Sequence, residues 1–237
     1  MNAVTVNAIT TRPLLSADDA IAARRSVRAF LPDAVPQAMI EEILNVAGRA
    51  PSGNNAQPWK AYVVTGAAKE RLTKALLAGF DDPDKTRYTA DYSYYPKQWI
   101  SPFLDRRRKV GWDLYNLLGL TRENKSGIAA QHRKNYEFFG APVGLLFTLN
   151  KAMSLGSWLD YGMFLQSIMV AASARGLSTC AQAAFVEYSS VVRESLQISD
   201  EEIFVCGMAL GWADDSQIEN SLHTERVPAA EFAQFLS

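Results

Sequence analysis

The sequence predicts an α+β fold. Three observations point to it: apolar runs of strand character are few, segments of helical periodicity are long, and the two kinds follow one another in mixed order. The last strand-like run, 201–212, is apolar on both faces, which predicts a central place in a sheet. The 237 residues suit one large domain or two small ones, and no internal repeat or low-complexity stretch appears.

In chain order, SADDAIAARRS begins a helix at Ser16, an N-cap residue followed by Asp18 and Asp19 in the first turn. A second helix follows in 35–50. Pro36 suits its first turn, and Met39, Ile40, Ile43, Leu44 and Ala47 recur at the spacing of one helix face. The cluster of Pro, Ser, Gly and Asn at 51–59 is a loop. KAYVVTG, 60–66, is a short apolar strand closed by glycine, and 67–80 is a helix. Residues 140–149 give a second strand. The helix at 157–175 stops at Gly176, a residue type suited to a helix C-terminus. TCAQAAFVEY leads into a short helix at 189–198, the third strand follows at 201–212, and the tail from His223 holds one more turn or short helix.

Composition excludes several classes. Lysine plus arginine (24) nearly balance aspartate plus glutamate (25), so the chain lacks the basicity of a nucleic-acid binder, and an anion it holds should be small and locally gripped. Cys180 and Cys206 are too few for a disulfide framework. With two histidines and no CxxC, no metal site is expected. MNAVTVNAITTRPLL lacks the charged and apolar regions of a secretory signal. The apolar segment 158–174 contains Asp160 and Gln166 and reads as a buried helix, not a membrane span. A cytoplasmic protein with no nucleic-acid or membrane partner is expected.

Two segments carry chemistry. RRSVRAF, 24–30, places three arginines within five positions. They repel one another unless an anion sits among them, and guanidinium pairs well with phosphate oxygens; the bland alternative is a solvated helix end. PSGNNAQPW, 51–59, is not a phosphate-cradling loop, because it follows a helix and lacks the Lys-Ser/Thr ending. Its amides Asn54, Asn55 and Gln57 suit the edge of a pyrimidine-like ring, and the alternative is an ordinary polar turn.

Residues 80–127 break the rhythm. They are rich in Tyr and Trp, contain Pro83, Pro96 and Pro102, and carry the run Arg106-Arg107-Arg108-Lys109 on a helix that places Phe103, Val110, Leu114 and Leu117 near one face. Either this is an excursion with its aromatics packed and its charges wet, or it is a lid over a site for a flat, acidic ligand. On the second reading Tyr94, Trp99, Phe103, Arg107 and Trp112 are the substrate-binding candidates, with Tyr92, Tyr95 and Tyr115 beside them and Arg106 or Arg108 as alternative partners for an acidic substituent.

RRSVRAF, APSGNNAQPWKAYVVTG, RGLSTCAQAA, CGMALGWADD and a late TERVP, in this order and spacing, make the chain similar to the FMN-dependent nitroreductase family over about residues 20–232. That resemblance implies a single nitroreductase-like domain over 1–237, a central, mostly antiparallel sheet flanked by helices, an insertion or lid at about 80–127, and an intertwined homodimer with shared active sites. It implies that Arg24, Arg25, Ser26 and Arg28 grip the FMN phosphate and the polar ring edge, and that Arg226 reaches the phosphate from the tail. Thr224 stands where many relatives have a second basic residue. Pro51, Ser52, Gly53 and Asn55 match the loop that reaches the flavin from the partner subunit. Gln182, Ala183 and Ala184 match the segment whose backbone N–H lies near flavin N5, although this chain reads Ala-Gln-Ala-Ala where many relatives have Pro-x-Glu-Gly. A further contact falls near Lys134 and Asn135. The implied activity is NAD(P)H-dependent reduction of an aromatic acceptor, typically a nitroaromatic taken to the nitroso and hydroxylamino product by a ping-pong route, with no catalytic side chain required. The helix at 157–175 is the expected dimer interface. The same scaffold also supports ene reduction, reductive dehalogenation and flavin-destroying oxygenation, and a non-catalytic FMN-binding protein is the alternative outside enzymes.

Overall fold

The computed structural model describes residues 14–236. The reading of the N-terminus as lacking a secretory signal falls mostly on residues 1–13, outside the described residues. The described elements are α1 (Ala17–Ala23), α2 (Gln37–Ala47), β1 (Trp59–Thr65), α3 (Gly66–Asp81), α4 (Phe103–Leu117), α5 (Lys125–Arg133), β2 (Val143–Asn150), α6 (Leu155–Ala174), β3 (Ser178–Gln182), α7 (Ser189–Leu196), β4 (Glu202–Gly211) and α8 (Ala229–Phe232). Short 3-10 segments occur at Gly53–Asn55, Lys134–Gly140 and Ala183–Tyr188, among others.

The strands form one sheet in the order β1-β2-β4-β3, with every neighbouring pair antiparallel. The third predicted strand, β4, is therefore internal, as its two apolar faces require. On one side of the sheet Leu145, Phe147, Cys206 and Met208 pack against Ile40 and Ile43 of α2 and Tyr161, Phe164 and Ile168 of α6. On the other, Leu146, Phe204 and Ala209 meet Leu72 and Leu76 of α3, Phe138, Phe185 and Val192 of α7. Each fully buried Leu or Phe in these layers contributes roughly 1.5–3 kcal/mol.

The structure departs from the sequence reading at four places. α1 ends at Ala23 with Arg24 as its extended C-cap (ψ 123°), so Arg25 and Arg28 lie beyond the helix and not on its end. β3 falls where the sequence shows only a lead-in to a helix; its five residues are too few to show a period, and pairing with β4 (Ala181 opposite Met208) makes the strand. β2 starts at Val143, not 140, because Phe138, Phe139 and Gly140 have φ of 54°, 54° and 82° and close a tight 3-10 turn. α5 lies where no element was assigned.

α6 places Ser157, Asp160, Tyr161, Phe164, Ile168 and Ala171 on its buried face, while Leu155 and Leu159 on the other side are 86% and 72% exposed. α4 buries none of its residues. No helix among the described residues is long and apolar enough to cross a membrane.

Candidate functional site

The segment 24–30 runs extended along the free edge of β3. Ser26 bridges Thr179, Val27 N–H donates to Thr179 O (3.1 Å), and Phe30 N–H donates to Phe139 O (3.2 Å). Val27 and Phe30 point into the core, which leaves Arg24 and Arg28 partly exposed. A buried amide fixes this geometry. Asn220, 4% exposed, accepts from Arg28 N–H (2.8 Å) and donates to Ala29 O (2.8 Å) and Asp214 O (2.9 Å). Arg25 donates to Asp215 (2.7 Å). The two ends of the chain are thus joined at the arginines.

Arg24, Arg25, Ser26 and Arg28 line a cleft of about 650 Å³ whose opposite walls are the tail, with Thr224 and Arg226, and α4, with Arg106, Lys109, Val110 and Asp113. Arg226 is held by Thr224 Oγ1 (2.7 Å) and by the carbonyls of Thr224 and Glu225. Thr224 therefore acts as an anchor for the one basic residue that the tail presents to the cleft.

Arg28 also lines a second compartment of about 500 Å³. This chamber is bounded by Gln182, Ala183 and Ala184 after β3, by Asn135, and by Tyr92, Tyr94, Tyr95 and Tyr115 of the 80–127 stretch. Gln182 donates to Asn135 O (2.7 Å), and Tyr92 OH donates to Val205 O (2.7 Å). Burial pushes the phenols of Tyr92, Tyr94, Tyr115 and Tyr136 up, so all four stay protonated near neutral pH and can donate hydrogen bonds. Burial likewise pushes the Cys180 thiol up, which leaves it a small buried neighbour and not a nucleophile.

Among the described residues, two buried polar atoms at the site lack a partner: Arg25 Nε, a donor in a residue of the cleft, and Gln182 Oε1, an acceptor in a residue of the chamber. With the arginines they suit a molecule that has a phosphate at one end and a flat ring with polar edges at the other. Among the described residues no group of His, Cys, Asp or Glu is placed to hold a metal ion.

The structure brings together Arg24, Arg25, Ser26, Arg28 and Arg226, and it brings Gln182, Ala183 and Ala184 to the adjoining chamber. Pro51, Ser52, Gly53 and Asn55 line neither compartment. Their loop is folded by positive φ at Asn54, Asn55 and Gln57 and is tied to α6, where Asp160 accepts from Gly53 N–H (3.3 Å). Of the substrate candidates, Tyr94 lines the chamber. Trp99, Phe103, Arg107 and Trp112 line neither compartment. The Arg107 guanidinium lies over Trp99 (5.1 Å), Trp112 packs on Tyr115 (5.6 Å), and Phe103 has Arg106 at 6.0 Å. Sequence reasoning missed Asn220, a lone amide in an ordinary tail, and it gave no cleft role to Lys109.

The chain matches the model of the nitroreductase family over residues 21–212. The 4-nitrobenzoate reductase of Pseudomonas putida is 40% identical over 220 residues, 92% of this chain and 95% of that protein. The chloronitrobenzene nitroreductase of Comamonas testosteroni is 39% identical over 220 residues, 92% of this chain and 96% of that protein. The crystal structure of the FMN and NADPH-dependent nitroreductase NfnB from Sphigopyxis sp. strain HMH superposes with a TM-score of 0.91 at 38% identity, covering 94% of this chain and 100% of that one. A shared sheet, a shared order of motifs and this breadth of identity lead to one statement: the chain belongs to the nitroreductase family.

Proposed function

We propose that the protein is an FMN-dependent oxidoreductase that uses NAD(P)H to reduce a nitroaromatic compound to its nitroso and hydroxylamino products. One observation carries the reading. Arginines from both ends of the chain line a single cleft, which adjoins at Arg28 a chamber bounded by flat and hydrogen-bonding groups. The printed activities of the relatives point the same way.

Bound FMN supplies the redox chemistry, accepting an electron pair from the nicotinamide and passing it to the acceptor. The chain supplies placement and charge. Arg24, Arg25, Arg28 and Arg226 hold the phosphate by charge-assisted hydrogen bonds, and Ser26 adds a hydroxyl. Gln182 offers its unpartnered Oε1 to a ring N–H, while the 182–184 backbone offers N–H donors to the ring edge. Positive charge at Arg28, where the two compartments meet, would favour negative charge on the bound ring. The protonated tyrosines close the chamber with apolar faces and hydroxyl donors. Both substrates use one face of the ring in one chamber, so they take turns and turnover is ping-pong; no side chain is needed as nucleophile. Pro51, Ser52, Gly53 and Asn55 complete the site from the partner subunit of a homodimer, and the 80–127 stretch covers it.

The test is an absorption spectrum of the purified protein, then anaerobic addition of NADH and NADPH, then turnover with 4-nitrobenzoate, an enone and oxygen. A yellow protein bleached by reduced nucleotide and reoxidised fastest by the nitro compound is expected. A colourless protein after soaking in FMN, or preference for the enone or oxygen, overturns the reading.

A further inference from the structure

We infer that α4 is the third wall of the phosphate site, and that the cofactor's phosphate is what seats this helix over the acceptor chamber. The inference rests on the FMN reading above and extends it to a coupling between the cofactor's tail and the lid.

The first ground is geometric. Arg106, Lys109, Val110 and Asp113 face the cleft, and their spacing of 3, 4 and 7 residues is that of one helix face. Leu114 and Tyr115, next along the same helix, line the chamber. One rigid element therefore spans both compartments, so a force applied at Arg106 also sets where Tyr115 stands.

The second ground is how lightly α4 is otherwise held, with Tyr115 OH against His132 Nε2 (3.1 Å) and the contacts of Lys109 as its polar ties. α4 buries none of its fifteen residues, so packing alone does not fix its position. Lys109 is already engaged, by Asp113 at 2.8 Å and Glu225 at 3.8 Å. The second of these contacts brings α4 to the tail, one residue from Arg226. Arg106 has no carboxylate partner among the described residues and only the Phe103 ring at 6.0 Å. It is the group on this face left to bind an anion.

The third ground is the sign of the charge. Six cations line the cleft (Arg24, Arg25, Arg28, Arg106, Lys109 and Arg226) against three carboxylates (Asp113, Glu225 and Glu231). Without an anion the net charge of the walls is +3, and Arg106 faces like charge across the gap. A phosphate monoester, with close to two negative charges, turns that repulsion into attraction. Riboflavin, which lacks the phosphate, would bring no negative charge to the cleft. The phosphate thus both holds the cofactor and draws α4 down.

The experiment titrates apoprotein with FMN and with riboflavin, read by flavin fluorescence, for the wild type, Arg106→Ala, Arg108→Ala and Arg28→Ala. Arg108 lies on the same helix, makes the same change in charge and lines neither compartment. The expected result is a roughly tenfold loss of FMN affinity in Arg106→Ala with riboflavin affinity unchanged, and no change in Arg108→Ala. Amide exchange across 103–117 is expected to be slower with FMN than with riboflavin in the wild type, and equal with both in Arg106→Ala. Unchanged FMN affinity in Arg106→Ala, an equal loss for both flavins, or an altered NADPH-to-NADH binding ratio with FMN affinity intact each overturns the inference, the last by giving Arg106 to the nucleotide's 2′-phosphate. Arg28→Ala separates the two levels. If it leaves the FMN-to-riboflavin ratio untouched, the cofactor reading itself falls; if it collapses the ratio while Arg106→Ala does not, only the role of α4 falls.

Discussion

Arg28 stands where the two compartments meet, and its usefulness depends on a residue that touches neither end of a ligand. Asn220 satisfies Arg28 N–H, Ala29 C=O and Asp214 C=O at once, all within 2.9 Å and nearly out of reach of water. Removing that amide orphans Arg28 N–H, at about 1–3 kcal/mol, whereas Ala29 C=O keeps Asp214 N–H (3.1 Å) and Asp214 C=O keeps Gln217 N–H (3.2 Å). Asn220→Ala is therefore expected to lower Tm by several degrees and to weaken FMN binding, although Asn220 lines neither compartment. Calorimetry and a flavin titration on the same preparation check this, and a Tm loss with intact FMN affinity counts against the bracing role. The density of arginines in 24–28 was readable from sequence because like charges so close demand an explanation. Asn220 was not, because a single amide carries no pattern until the fold brings residue 28 to it.

Among the elements, β3 decides whether the chamber exists. Its last residue, Gln182, pairs with Gly207 of β4, and the turn that follows sends Phe185 over that glycine. A Cβ at 207 would meet the Phe185 ring at 2.6, 2.9 and 3.2 Å. Gly207→Ala should cost about 1–3 kcal/mol through this overpacking and displace 182–184 with it, lowering both Tm and FMN affinity. An unchanged thermal scan would argue against the close packing. A five-residue strand has too little length to declare itself, so β3 became legible only as a partner of β4. At the far end of β4, burial acts to raise the Glu202 carboxyl, but bonds from Lys60 (2.6 Å), Thr148 and Tyr62 (3.2 Å) outweigh it and hold the carboxyl below the usual range. A carboxyl depressed in the folded state stabilises above its unfolded value, about 4.3, and that stability is lost as pH falls through the folded value. Wild type should thus lose Tm more steeply than Glu202→Gln as pH drops below about 5, and parallel curves would remove Glu202 from the acid response.

For the molecule as a whole, one chain holds the arginine cleft and the chamber but keeps the 51–55 loop elsewhere, tied to α6. On that same helix Leu155 and Leu159 stand mostly in solvent, an apolar surface that a second copy would cover. The pair Leu155→Asp and Leu159→Asp should shift the protein toward a single copy in sedimentation and cost it most of its bound FMN. A dispersed form that keeps full colour would show that one chain suffices. The α+β class, the central β4 and the long α6 were visible in apolar periodicity alone, whereas the meeting of residues 24–30 with 212–226 has no local signature. That meeting has a consequence for biosynthesis. Asn220 and Arg226 both follow β4, so a polypeptide made only as far as Gly211 carries all four strands but lacks these parts of its anion grip. Pigment uptake should therefore wait for residues 212–226, and a protein clipped just after β4 should fold around its sheet and remain colourless.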